Sequence, residues 1–128
     1  KLTLFVYPST IETWCIKKTC YNLEIALNQK EKSEGLMHRT YLAPYRGMKF
    51  IWLKEEFRFM WMKNTLIPLD ILWLDENKVI LNIKEVSNIN NESIIKSNKK
   101  AKYVIELPLG SSLKNNIKIG DKLRKLNF

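Results

Sequence analysis

The stretch Phe59-Met60-Trp61-Met62-Lys63-Asn64-Thr65-Leu66-Ile67-Pro68-Leu69-Asp70-Ile71 holds most of the side chains that could do chemistry. An apolar run stops at Lys63, Asn64 and Thr65 and restarts at Pro68, which brings a cation, an amide and a hydroxyl to the edge of a core. Pro68 fixes its own φ and keeps Ile67 extended, so this link is stiff and its side chains are well placed for binding. Asp70 and Glu106 sit in otherwise apolar strand contexts, where a carboxyl pKa rises toward acid or base use. A small enzyme would use one of them as acid or base, with Lys63 as electrostatic stabiliser. The same residues also have plainer roles. Asn64 and Thr65 can bond to nearby backbone, Lys63 can be solvated, and Asp70 can cap or pair locally. A buried carboxylate held by Lys63 or Arg39 would be simple structural pairing. Trp61, if partly exposed, could stack on a flat ligand, whereas Met60, Met62 and Trp73 read as core.

Other reactive arrangements are missing. His38 is the sole histidine and nothing supplies the rest of a triad; Gly-x-Ser-x-Gly does not occur, and four glycines make no phosphate-binding loop. With one histidine and two cysteines, a four-ligand zinc site would have to recruit carboxylates, so neither a metal nor a cofactor is expected.

The chain that must position these residues has 128 residues, 45% of them hydrophobic, which suits one domain over 1–128 with a single core. Its net charge of +9 comes mostly from lysines mixed with asparagine and isoleucine. Apart from Lys96, Lys99, Lys100 and Lys102, and a second group at Lys114, Lys118, Lys122, Arg124 and Lys125, the basic residues are scattered. They do not gather with arginine and aromatics on one face, so nucleic acid and an anionic membrane surface are both disfavoured as partners. A small molecule or a protein partner, bound by a monomer, is preferred. No stretch approaches the ~20 apolar residues of a membrane span. Lys1 is followed by the apolar run Leu2–Tyr7, which reads as the neighbour of an export signal or as a first strand. An exported, periplasmic or envelope location is preferred to the cytoplasm.

The elements are mostly strands. Cys15 and Cys20 flank a polar link between two strand-like runs, and a hairpin there would bring the sulfurs within bridging range; in a reducing compartment they would be two thiols. Tyr21–Ala26 alternates as a half-buried strand does. Asn28 can cap a short helix near 28–37 that Gly35 weakens. Strands are expected at Met48–Leu53, Phe57–Lys63, Leu69–Leu74 and Val79–Glu85. The second and third are apolar on both faces and so central. Asp75-Glu76-Asn77-Lys78 is a hairpin turn with Asn77 best able to go left-handed. Asn88–Lys100 reads as an exposed, mobile loop outside the core. Lys102–Leu107 is a strand, Ser111 caps a single helical turn near 111–116, and Ile117–Leu123 reads as strand, turn and strand. The fold class is mainly β, a compact antiparallel sandwich or distorted barrel.

Several motifs occur together: Glu34-Gly35-Leu36-Met37-His38-Arg39, Gly47-Met48 leading into a strand, Trp61 through Ile71, Tyr103-Val104-Ile105-Glu106-Leu107, and Gly120-Asp121. In this the chain resembles the domain of unknown function 192 family over about residues 20–126, with 1–19 an N-terminal extension or a first hairpin. The resemblance implies a mainly β sandwich or barrel and no established activity, substrate or cofactor. Carried over position by position, it points to Arg39, Lys63, Asn64, Thr65, Asp70, Glu106 and Asp121 as the polar residues of any shared site. The chain departs from the family pattern at Asn77-Lys78, where a turn glycine is usual, and at the Asn-, Ser- and Lys-rich segment from Asn88, where prolines are usual. The expected function is a non-enzymatic binding domain whose ligand or partner meets the edge formed by Trp61, Lys63, Asn64, Thr65 and Asp70, with Arg39 and Glu106 as further candidates. The enzyme using Asp70 or Glu106 is the alternative.

Overall fold

The computed structural model describes residues 10–127. The expectations for Leu2–Tyr7 lie outside them. Among the described residues the chain runs β1 (Ile11–Ile16), β2 (Thr19–Ala26), α1 (Gln29–Glu34), β3 (Arg46–Glu56), β4 (Phe59–Met60), β5 (Leu69–Leu74), β6 (Ile80–Val86), β7 (Ile95–Lys96), β8 (Ala101–Pro108), α2 (Ser111–Lys114) and β9 (Leu123–Lys125). The fold is mainly β. Seven strands form one sheet in the order β6-β5-β8-β3-β2-β1-β9, and β4 and β7 form a separate ribbon. The large sheet curls into a half-barrel whose two edges meet at a bridge between Val79 and Lys122. There the Ile80 N–H donates to the Asp121 carbonyl and the Leu123 N–H to the Lys78 carbonyl, each at 2.9 Å.

β1 and β2 form a hairpin in which Cys15 and Cys20 stand directly opposite and are joined by a disulfide. β2 and β3 pair in parallel, which departs from the all-antiparallel expectation. The reason is the connection: residues 27–45 carry the chain back to the start of the sheet before β3 begins, as a parallel neighbour requires. α1 lies in this crossover and is started by a reciprocal cap. The Asn28 side chain accepts from the Glu31 N–H at 2.8 Å, and the Glu31 carboxylate accepts from the Asn28 N–H at 3.0 Å.

Every residue of β5 is buried, because each face of the sheet has its own apolar cluster. Leu72 and Leu74 point inside the curl with Trp14, Leu23, Ile105 and Leu107. Leu69, Ile71 and Trp73 point outward to Met48, Phe50, Met62 and Val104. That double cover is what a strand apolar on both faces records.

The run Phe57–Lys63 does not form the second central strand expected. Only Phe59–Met60 is extended, paired with β7, and Phe57, Phe59 and Trp61 are exposed. The sheet offers it no place, since β8 already has β3 and β5 as neighbours. Arg58 instead turns inward and donates to the Ala101 carbonyl at 3.1 Å, while the Trp73 indole donates to the Arg58 carbonyl at the same distance. Residues 88–100, expected outside the core, supply β7, bury Ser97 and pack Ile95 against the outer cluster. In the turn after β5 the Asp75 carboxylate accepts from the N–H groups of Asn77 and Val79, and the left-handed residue is Lys78 (φ 64°) rather than Asn77. Near the end of the chain only Leu123–Lys125 is a strand; Ile117 is buried without sheet pairing, and Gly120 (φ 95°) makes the turn.

Candidate functional site

The outer face of β3 and β8 is partly roofed by α1 and β4, and a cleft of about 360 Å³ remains between them. Its floor follows from strand parity. Glu106 of β8 stands opposite Met48 of β3 and Ile71 of β5, and so shares the outer face with them. The β3 and β8 backbones come unusually close at Gly47, where an added Cβ would lie 2.3 Å from the Glu106 carbonyl oxygen. Further along β3, Phe50 and Trp52 stack with ring centroids 6.2 Å apart and planes at 15°. The turn after α1 closes one side. Gly35 has φ +51°, and a Cβ there would be 3.3 Å from the Phe50 ring and 3.8 Å from a Glu106 carboxyl oxygen. Phe57, Phe59, Met60, Trp61 and Thr65 line the other.

Two kinds of charge meet this cleft. Glu106 is 4% exposed, and no donor among the described residues reaches its carboxyl. Burial away from water pushes its pKa up to about 8, so the group is mostly neutral at pH 7 and can donate as well as accept. At the Trp52 end, the Lys32 ammonium lies 5.0 Å from the ring centroid and the Arg58 guanidinium 4.5 Å from it. Lys32 also donates to the Ile51 carbonyl at 2.9 Å. Its pKa is lowered by partial burial and then by the neighbouring Arg58, and that of Arg58 is lowered by burial. Among the described residues no three His, Cys, Asp or Glu side chains gather as metal ligands would.

With this geometry established, sequence comparison is decisive on family. The family model of the domain of unknown function 192, described as "Uncharacterized ACR", matches residues 12–125. The chain belongs to that family. Two solved structures are similar to it throughout. A candidate transcription regulator from Sinorhizobium meliloti is 30% identical, with a TM-score of 0.86 over 96% of this chain and 98% of that one. A protein of unknown function from Novosphingobium aromaticivorans is 28% identical, with a TM-score of 0.85 over 94% of this chain and 91% of that one. None of the curated proteins shows a significant match.

The polar motif residues of this domain of unknown function 192 member do not all meet. Trp61, Thr65 and Glu106 line the cleft. Asp70 lies on the opposite face of the sheet, fully buried, where its carboxylate accepts from the backbone N–H groups of Gly110 at 3.1 Å and Ser112 at 2.8 Å. It anchors the start of α2. Arg39 forms an ion pair with buried Glu24, with its second guanidinium nitrogen at 3.0 Å. Lys63 lies over the Trp61 ring at 5.1 Å and 3.9 Å from the Glu92 carboxylate, outside the cleft. Asn64 takes φ 52° and uses its backbone: its carbonyl accepts from the His38 N–H at 2.8 Å, and its N–H donates to the Asn90 side chain at 3.2 Å. His38 is exposed. Thr65 donates to the Lys63 carbonyl at 3.1 Å, and its own carbonyl accepts from the Asn90 N–H at 2.8 Å. The motif is thus a stiff turn pinned from both sides, and it presents Trp61 and Thr65 to the cleft.

Sequence reasoning did not single out Lys32, Phe50, Trp52 and Arg58. The period-two spacing of Phe50 and Trp52 beside the Gly47-Met48 motif was a usable signal. No spacing linked Lys32 or Arg58 to them.

Proposed function

We propose that this protein is a small-ligand-binding domain whose site is the cleft over Glu106. One observation carries the reading: a nearly buried carboxyl, reached by no donor among the described residues, that opens onto the floor of an aromatic cleft. Holding such a group largely out of water without a protein donor carries a desolvation cost. Its neighbours facing the same cluster are Met48, Ile71 and Val104, so packing alone would be better served by another apolar side chain. The cost is offset when a ligand supplies the missing partner. The volume falls at the small-molecule end of known sites, and walls of Trp52, Phe57, Phe59 and Trp61 suit a flat or ring-shaped occupant.

The alternative, an enzyme using Asp70 or Glu106 as acid or base with Lys63 as stabiliser, is poorly served, because Asp70 faces the other side of the sheet and Lys63 lies outside the cleft, which leaves Glu106 there without that stabiliser. That favours binding over catalysis as the reading. The test is a thermal-shift screen against metabolites, sugars and organic acids, repeated on Glu106→Gln, Trp61→Ala and Lys63→Ala. A compound at ~100 times its Kd adds about 2.7 kcal/mol to stability, which moves Tm by several degrees. The expected hit shifts the wild type and Lys63→Ala but shifts Glu106→Gln and Trp61→Ala much less. A hit that depends on Lys63 and ignores Glu106 and Trp61 would move the site out of this cleft.

A further inference from the structure

The two ends of the cleft differ in charge, and the difference selects a class of ligand. Glu106 stands across from Met48, and Trp52 lies four residues further along β3. At about 3.3 Å per residue the two ends are ~13 Å apart, with the Phe50 ring between them. At the Trp52 end, Lys32 has no carboxylate partner among the described residues, and Arg58 has only the half-exposed Glu56 carboxylate at 3.6 Å. The other acidic group lining the cleft, Glu34, is exposed and 3.9 Å from Lys30. Arg58 already has the Ala101 and Lys54 carbonyls and the Glu56 carboxylate as acceptors, so Lys32 is the cation beside this ring without a carboxylate among the described residues, while the far end offers an uncharged acid.

Resting on the cleft as the binding site, we infer that the ligand is an organic acid built on a flat unsaturated ring, bound as its anion. Its oxyanion lies at the Lys32–Arg58 end, its ring against the exposed Phe57, Phe59 and Trp61 side chains, and an uncharged acceptor such as a carbonyl or ring nitrogen takes the Glu106 O–H. Each part answers an observation. An oxyanion supplies the counter-charge that Lys32 lacks and strengthens its charge-assisted hydrogen bonding. A flat ring matches the exposed aromatic wall of Phe57, Phe59 and Trp61, and the neutral acid is a donor that no protein group satisfies.

The experiment is calorimetric titration of the intact protein at pH 6.5 with a panel of ring carboxylates, each paired with its own primary amide. The panel includes 4-acetylbenzoate, which carries a carbonyl opposite the carboxylate, and benzoate, which lacks it. The expected result is that 4-acetylbenzoate binds at least tenfold more tightly than 4-acetylbenzamide and more tightly than benzoate. Lys32→Gln should abolish the preference for acid over amide, and Lys32→Arg, which keeps the charge, should retain it; thermal melts confirm that both variants fold. Amides that bind as well as their acids, or a preference that survives Lys32→Gln, overturn the anionic class and leave the cleft reading standing. No binding by any acid of the panel at millimolar concentration also overturns it. The cleft reading falls separately, if every compound that stabilises the protein in the wider screen is indifferent to Glu106 and Trp61.

Discussion

Glu106→Gln should change how stability responds to pH. In the folded chain the Glu106 carboxyl holds its proton until about pH 8, and in the unfolded chain it loses it near the ordinary 4.5. Between those values the unfolded state binds fewer protons, so the wild type loses stability as pH rises. The stabilising effect of the raised pKa is fully present below 4.5 and gone above about 8. At 1.36 kcal/mol for each tenfold change in proton affinity, the loss is on the order of 3 to 5 kcal/mol, with the upper figure assuming that no water enters the cleft. Burial is the one cause of the shift, although Lys32, Arg58 and Glu34 line the same cleft. Glutamine keeps the shape and the donor but cannot ionise. Its variant should match the wild type within about 1 kcal/mol near pH 4.5 and exceed it by several kcal/mol at pH 9.

The assay is urea denaturation of both proteins at pH 4.5, 6, 7.5 and 9, with the Cys15–Cys20 disulfide intact and the m-values compared to confirm one transition. Taking the difference between the two proteins removes every other titrating group, including Lys49, from the comparison. Profiles that run parallel from pH 4.5 to 9 would show that Glu106 is ionised or hydrated in the folded state, and the account of the cleft floor would fail with them.

The remaining predictions concern the groups around this floor and on the opposite face. Gly47→Ala should destabilise by roughly 3 kcal/mol or more in thermal unfolding, because its Cβ would meet the Glu106 carbonyl oxygen at 2.3 Å and a Leu107 methyl at 2.9 Å. Asp70→Ala strands the N–H groups of Gly110 and Ser112 in the core and should cost about 2 to 4 kcal/mol, yet leave the affinity of any Glu106-dependent ligand unchanged by titration. Lys49 is 2% exposed, with its ammonium 3.9 Å from the Trp14 ring centroid, and burial lowers its pKa to about 8. Folded Lys49 therefore gives up its proton before unfolded Lys49 does, so stability should rise between about pH 8 and 10.5, and Lys49→Met should remove that rise and add about 1 to 2 kcal/mol at pH 7. Lys78→Gly should stabilise by roughly 0.5 to 1 kcal/mol in melting experiments, since φ 64° strains any residue with a Cβ.

Much of the fold was legible where local pattern and burial agree. Leu69–Leu74 is apolar at every position except Asp70 and proved central; Tyr21–Ala26 and Lys102–Leu107 became strands; and Asn28 with Glu31 capped a helix as their side chains dictate. Phe57–Lys63 misled because aromatic residues that line a cleft have the same composition as aromatic residues that fill a core. Nothing local shows that Phe59 is 60% exposed. The polar segment after Asn88 misled in the opposite sense. Its backbone is consumed by the motif turn, with the N–H of Met62 donating to the Asn91 carbonyl at 3.0 Å and the N–H of Asn91 returning to the Met62 carbonyl at 3.2 Å.

The two carboxyls show where local reading runs out. Asp70 and Glu106 each interrupt a buried apolar strand, and by context alone both are candidates for a raised pKa. What separates them is register: Asp70 stands opposite Leu107 and Glu106 opposite Ile71, one residue apart. Successive side chains in a strand point to opposite faces, so that single step sends Asp70 toward two backbone donors and Glu106 toward none. The register rests on contacts distant in sequence, among them the close approach of Gly47 to the Glu106 backbone, which no single segment encodes. The cleft needs the same register, since a one-residue slip of β8 would turn Glu106 into the half-barrel and put the Leu107 side chain on the cleft floor. The motif from Trp61 to Asp70 thus divides its work: Trp61 and Thr65 face the cleft, while Asp70 ties β5 to the start of α2 on the other side of the sheet.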